Sequence, residues 1–253
     1  MRIIRAEYQG KIFFALLHAE HATCLNKELG FSEPIALNQL RLLPAVAPSK
    51  IICMGMNYRT HAEELRFKQP ALPIFFLKAP TTLICPGQNI ICPAGATRLD
   101  YEGELAVVIG KTARNIALED VPKHIFGFTC ANDVTARNLQ TASDVGGRCK
   151  NYDTFCPIGP WIETELPNLN NLNVVTLING ETRQKGNTAD MILNPYQIVE
   201  YLSSVMTLIP GDVILTGTPA GVGPMHDGDT VTVEIEGIGQ LSNTVIHPTG
   251  AVQ

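Results

Sequence analysis

From residue 50 onward the chain repeats one pattern, a short apolar or alternating run closed by Gly, Pro, Asn or Asp. Ile51–Met54, Ile74–Lys78, Glu102–Ile109, Phe126–Ala131, Val174–Ile178, Val213–Thr216 and Thr230–Ile235 are such runs, and each predicts a strand. Turn clusters such as Cys85-Pro86-Gly87, Pro210-Gly211-Asp212 and Asp227-Gly228-Asp229 separate them. Apolar residues at three-to-four spacing predict helices only over Asn57–Leu65 and Pro195–Met206. Ahead of this, Met1–Tyr8, Gln9–Gly10 and Lys11–Leu17 read as strand, turn and strand, followed by a Pro-marked linker over Leu43–Pro48. We expect a small N-terminal β region over residues 1–48 and one larger domain over 49–253. Many short strands with few helices argue for a β-rich sandwich or rolled barrel over a doubly wound parallel sheet.

Composition narrows the classes. Of the 253 residues 45% are apolar and 17% charged, which is enough for a sizeable core and far from disorder. The net charge of −5 comes without a basic stripe, so a nucleic-acid partner is not expected. Seven cysteines, an odd number without C-x-x-C spacing, sit mostly in apolar runs and suit free thiols in a reducing, cytoplasmic setting. Arg2 and Arg5 precede the run Ile12–Leu17, but that run is too short for a signal peptide, and no stretch is long enough to cross a bilayer.

The segment Asp100-Tyr101-Glu102-Gly103-Glu104-Leu105-Ala106-Val107-Val108-Ile109 carries the strongest chemical signal. Alternate side chains of a strand share a face, so Glu102 and Glu104 point the same way beside Asp100. Like charges so placed call for compensation, and a hard divalent cation supplies it. Asp133 ends the apolar run Phe126–Ala131 and offers a third carboxylate. The plainer reading is an acidic, solvated strand end, with Asp133 capping a helix over Val134–Gln140.

Other groups carry both readings as well. His61 and Glu64, three residues apart, would share a helix face and form a base with a fixed tautomer, or an ordinary surface pair. Lys150, ahead of a Pro-rich apolar segment, would snorkel to solvent or stabilise enolate charge. The loop Thr216–Gly223 lacks the Lys of a phosphate-binding loop; its amides and the Thr218 hydroxyl would hold a carboxylate, or form a plain turn.

The order of these blocks is more specific than any one of them. Asp100–Gly110, Asn132–Gln140, Lys150–Pro160, Asn179–Thr188 and Leu215–Gly223 together resemble the fumarylacetoacetate hydrolase family over about Lys50 to Val245. The resemblance implies an α+β, β-rich, mixed β-sandwich roll, a homodimer, and a Mg²⁺ or Mn²⁺ ion held by Glu102, Glu104 and Asp133. It implies catalytic roles for His61, Glu64 and Lys150, the first two on a lid, and makes Gln140, Thr218, Arg59 and Tyr152 the candidate substrate contacts. The expected substrate is a small oxo acid. Cleavage of a C–C bond in an acylpyruvate-type or β-keto dicarboxylic acid through an enolate is the leading activity. The alternatives are isomerisation of 2-hydroxyhepta-2,4-diene-1,7-dioate, decarboxylation of 5-oxopent-3-ene-1,2,5-tricarboxylate, oxaloacetate tautomerisation, and a non-catalytic protein with a structural ion. Two departures from the family pattern, the stretch Thr141–Arg148 without Trp and Asn138 in place of Asp, bear on specificity.

Overall fold

The computed structural model describes residues 1–64, 72–141 and 143–248. Strands dominate it. In chain order the first seven are β1 (Arg2–Tyr8), β2 (Lys11–His18), β3 (His21–Cys24), β4 (Ile35–Ala36), β5 (Arg41–Leu43), β6 (Ile51–Gly55) and β7 (Ile74–Lys78). Next come β8 (Leu83–Ile84), β9 (Ile90–Ile91), β10 (Leu99–Tyr101), β11 (Gly103–Ile109), β12 (Ile125–Asn132), β13 (Thr135–Ala136) and β14 (Cys156–Glu163). The last are β15 (Asn173–Ile178), β16 (Glu181–Asn187), β17 (Val213–Leu215), β18 (Gly223–Met225), β19 (Thr230–Ile235) and β20 (Gly239–Ile246). Among the described residues two α-helices accompany them, α1 (Arg59–Glu64) and α2 (Pro195–Val205).

These strands form three sheets. The largest runs β4-β3-β2-β1-β14-β12-β11-β17-β6-β7, with β5 on β1 and β8 on β14. A second runs β16-β15-β19-β20-β9, and a small third runs β13-β10-β18. Most pairs are antiparallel, but β17–β6, β14–β8 and β20–β9 are parallel, so the architecture is a mixed β-sandwich roll.

The middle of β11 is apolar on both faces because both faces are covered. Leu105, Val107 and Ile109 pack toward β15, β19 and α2, while Ala106 and Val108 pack with Ile51, Ile158 and Val213 on the other side. Gly103 marks a close approach of the two larger sheets. A Cβ there would lie 2.2 Å from Thr176 Oγ1, so no larger residue fits without moving the second sheet.

The N-terminal strands extend the large sheet through β1 and β14, where Ile3 pairs with Ile162. The Leu43–Pro48 stretch is packed: Ala45 and Val46 are buried beneath that sheet. Helix α2 closely follows its expected span, with a capping box in which Asn194 accepts from Gln197 N–H and Gln197 returns the bond. Helix α1 starts two residues later than expected, because the buried Asn57 side chain bonds Leu193 and Thr216 and so lies outside the helix. Its expected end at Leu65 falls outside the described residues. No helix spans Val134–Gln140: Thr135 and Ala136 pair with β10, and only Arg137–Leu139 form a 3₁₀ turn. Among the described residues no helix is long and apolar enough to cross a membrane.

Candidate active site

A cavity of about 390 Å³ opens where the small sheet hands the chain to the large one. The handover falls at Glu102, between β10 and β11. Its amide donates to Asn132 Oδ1 at 2.9 Å and its carbonyl accepts from the Asp133 amide at 2.9 Å, which fixes the two acidic residues side by side. Glu102, Glu104 and Asp133 are buried and each offers a carboxylate oxygen within 4.8 Å of the others.

An alternating row of charges crosses the floor: Arg98, Asp100, Arg137, Glu102, Lys150, Asp133 and Lys78. Lys150 sits on a 3₁₀ turn and donates to Glu102 and to Asp133 at 2.7 Å each. Burial opposes its charge, but the Asp133 and Glu102 carboxylates outweigh burial and raise its pKa well above the ordinary lysine value. The same balance acts on Glu102: burial favours the neutral acid, and Lys150 and Arg137 overcome it to pull its pKa down to about 2.

Glu104 is the exception. No cation pairs with it among the described residues; it accepts only the Gly217 amide, at 2.6 Å. Burial, and then the negative charges of Asp133 and Glu102, push its pKa well above the carboxylate range. A buried carboxylate without a cation beside it is the feature that a bound dication would satisfy, and three oxygen donors suit a hard ion. The donor set therefore fits Mg²⁺ or Mn²⁺.

His61 lines the cavity wall, and Glu64 stands behind it. His61 Nδ1 lies 3.0 Å from Glu64 Oε2, and Glu64 also accepts the Gly221 amide at 3.2 Å. Thr218 lines the cavity, donating to Gly103 O and accepting from Gln184 Nε2. Gln140 also lines it, held between Arg137 and the Val145 carbonyl.

Two expected contacts do not reach the cavity. Arg59 is exposed with its guanidinium at the Ala189 carbonyl, since two residues before His61 is another helix face. Tyr152 packs on Phe155 and accepts from Arg148 Nε, lining a separate surface depression with Asp153 and Thr154. The turn that buries Lys150 carries the chain past the cavity before Tyr152. Two floor residues were missed in the sequence, Lys78 and Arg137. Each had a signal: Lys78 ends an apolar strand in a charge, as Asp133 does, and Arg137 lies four residues after Asp133.

Comparison with known proteins agrees with this arrangement. The family described as "Fumarylacetoacetate (FAA) hydrolase C-terminal" matches residues 50–246. The chain belongs to the fumarylacetoacetate hydrolase family. Within the family it is 42% identical to the oxaloacetate tautomerase YisK of Bacillus subtilis over 241 residues, covering 90% of this chain and 80% of that one. The crystal structure of 2-hydroxyhepta-2,4-diene-1,7-dioate isomerase from Mycobacterium marinum superposes with a TM-score of 0.87 at 39% identity, over 98% of this chain and 99% of the other. Maleylpyruvate hydrolase from Sphingobium sp. SYK-6, solved with manganese(II) and pyruvate, gives a TM-score of 0.81 at 31% identity, over 98% and 100%. Members of this family are enzymes, with tautomerases, isomerases, decarboxylases and hydrolases among them.

Proposed function

We propose that the chain is a divalent-cation-dependent enzyme that enolises a small 2-oxo acid and, where the substrate allows, cleaves the neighbouring C–C bond by hydrolysis or decarboxylation. The observation that carries this reading is the convergence of Glu102, Glu104 and Asp133 on a cavity floor, with Glu104 left without a cation. These three residues would hold Mg²⁺ or Mn²⁺, which supplies Lewis-acid polarisation of a 2-oxo group when bound. The manganese and pyruvate in the related hydrolase support that assignment.

The chain's own side chains do the remaining work. Lys150 keeps its positive charge and is placed to stabilise the negative charge that develops on a substrate oxygen. Glu64 accepts the His61 Nδ1 proton, which leaves the Nε2 lone pair for a proton from the carbon beside the carbonyl or from a water. Tautomerisation, dienol isomerisation and acylpyruvate hydrolysis all act at a carbon next to a carbonyl, so one enolising site serves each. Oxaloacetate tautomerisation is the second reading, favoured by the 42% identity to YisK. Seven free cysteines, all buried, support a cytoplasmic setting, and we take the assembly to be a homodimer.

The test follows the absorbance of oxaloacetate, acetylpyruvate and the dienoic dioate with metal-stripped protein, then with Mg²⁺ or Mn²⁺ restored. We expect turnover of at least one that depends on the cation and disappears in Glu102→Ala. Turnover of all three that ignores the cation, or of none with the cation bound, refutes the reading.

A further inference from the structure

One loop touches both the carboxylate floor and the His61–Glu64 pair. Between β17 and β18, the Gly217 amide donates to Glu104 at 2.6 Å, Thr218 lines the cavity, and the Gly221 amide donates to Glu64 at 3.2 Å. The position of Gly217–Gly221 therefore bears on the floor, on the cavity face and on the pair at once. What sets that position lies outside the cavity, on β16 at the edge of the second sheet.

Gln184 is the one buried residue of that strand, 1% exposed. Burying an amide is costly unless its bonding is completed, and here it is. Gln184 Oε1 accepts from the Gly103 amide at 3.2 Å and from the Thr176 hydroxyl at 2.8 Å. Its Nε2 donates to the Thr218 hydroxyl and to the Pro219 carbonyl, at 2.7 Å each. Thr218 in turn donates to the Gly103 carbonyl at 3.0 Å. Gln184 and Thr218 so hold both the nitrogen and the oxygen of Gly103, the residue between Glu102 and Glu104. The loop is also pressed onto β16. A Cβ on Gly186 would lie 2.3 Å from Pro219 Cβ, and one on Gly221 would lie 3.1 Å from the Arg183 carbonyl oxygen.

We propose that Gln184 is a positioning residue for ligand binding: by fixing the Thr218 hydroxyl and the Pro219 carbonyl, it sets the face that the Gly217–Gly221 loop turns to a 2-oxo acid. This rests on the reading above, in which the 2-oxo acid occupies this cavity. The Thr218 proton is committed to Gly103 and one of its lone pairs to Gln184, so the hydroxyl keeps one orientation. A buried polar network with every member paired specifies a single geometry. Without Gln184 Nε2 the hydroxyl regains its rotation and the Pro219 carbonyl loses a buried donor. The loop then relaxes at Thr218, where a ligand meets it.

The test titrates Mn²⁺-saturated protein with pyruvate by calorimetry and needs no turnover. Gln184→Met, of similar length but without the amide, should weaken pyruvate binding about fivefold, the worth of one hydrogen bond. Thr218→Val should weaken it as well. The double variant should lose less than the product of the two single losses, because both break one linkage. Losses that multiply, or a lower melting temperature with affinity intact, would make Gln184 merely structural and overturn the proposal. Gly186→Ala displaces the same loop through Pro219 from a half-buried site and should also weaken pyruvate. It decides the matter if Gln184→Met does not fold. Affinity within about twofold of native in the variants that fold overturns the role of Gln184 and leaves the proposed reaction standing. Failure of the native protein to bind pyruvate overturns both.

Discussion

The carboxylates of the cavity floor sit at the ends of paired strands, whereas His61 and Glu64 sit on helix α1. A floor side chain is held from several directions: Glu102 alone accepts from Thr135, Arg137 and Lys150. Among the described residues the dyad has less support, and it depends on contacts at the edges of α1. Those include the Ala62 amide on the Tyr58 carbonyl and the Glu64 carboxylate on the Gly221 amide. Floor residues are therefore woven into the fold, while the dyad is attached to it. Changes on the floor should cost stability as well as chemistry, and changes in the dyad should cost chemistry alone.

The sharpest way to break that contrast is His61→Ala. Loss of a positioned base lowers turnover by about 10²–10⁴-fold, and we expect that loss in kcat with little change in melting temperature or in Mn²⁺ affinity. Glu64→Gln keeps the helix but weakens the hold on the imidazole, and should fall between the variant and the native protein. If either substitution unfolded the protein or released the cation, the dyad would belong to the structural frame and the contrast would fail.

Lys78→Met probes the other side. Lys78 is 1% exposed and its ammonium meets Asp133 at 2.5 Å and the Val134 carbonyl at 3.3 Å. Removing one partner of a buried pair leaves an uncompensated charge and costs roughly 3 kcal/mol, toward the lower end of what such breaks cost because Lys150 still faces Asp133. Denaturant unfolding of the metal-free protein measures this directly. A loss below about 0.5 kcal/mol, the range of ordinary surface substitutions, would show that the floor is not bound into the fold as described.

The legibility of the site in the sequence follows the same division. Glu102 and Glu104 could be placed together from strand periodicity alone, because a period of two carries from sequence to space without knowing the partner strands. His61 and Glu64 were legible for the same reason on a helix. Lys150 was not: its neighbours permit either solvent or the interior, and only the turn at Arg148–Lys150, packed against β13 and the Arg137–Leu139 turn, sends it inward. Lys78 was hidden in a run whose other residues read as plain strand, and its partner Asp133 is 55 residues away. Tyr152 was misplaced because proximity in sequence to Lys150 says nothing about direction after a tight turn. The strand spans Ile74–Lys78 and Thr230–Ile235 were read to the residue, since turn clusters or polar positions bound them on both sides. The helix that the plainer reading placed over Val134–Gln140 is absent because Thr135 hydrogen-bonds Glu102 and its backbone pairs with β10, a competing use that no local pattern announces.

The smallest expected effect calibrates the other two. Arg41 and Glu7 form an ion pair across β5 and β1, in register as directly opposed residues, a cation–carboxylate pair as at Lys78 and Asp133. The largest difference is in the surroundings. The Arg41 side chain is 65% exposed, where water screens the attraction and both chains surrender rotamer freedom to meet. Arg41→Ala should therefore cost less than about 1 kcal/mol in denaturant unfolding and leave turnover untouched. Together with Lys78→Met it separates two causes that a single variant confounds, the charge pair itself and its burial. If the two substitutions cost the same, burial would not be what distinguishes the floor, and the stability assigned to the ionic row would have to come from backbone pairing in β10, β11 and β12.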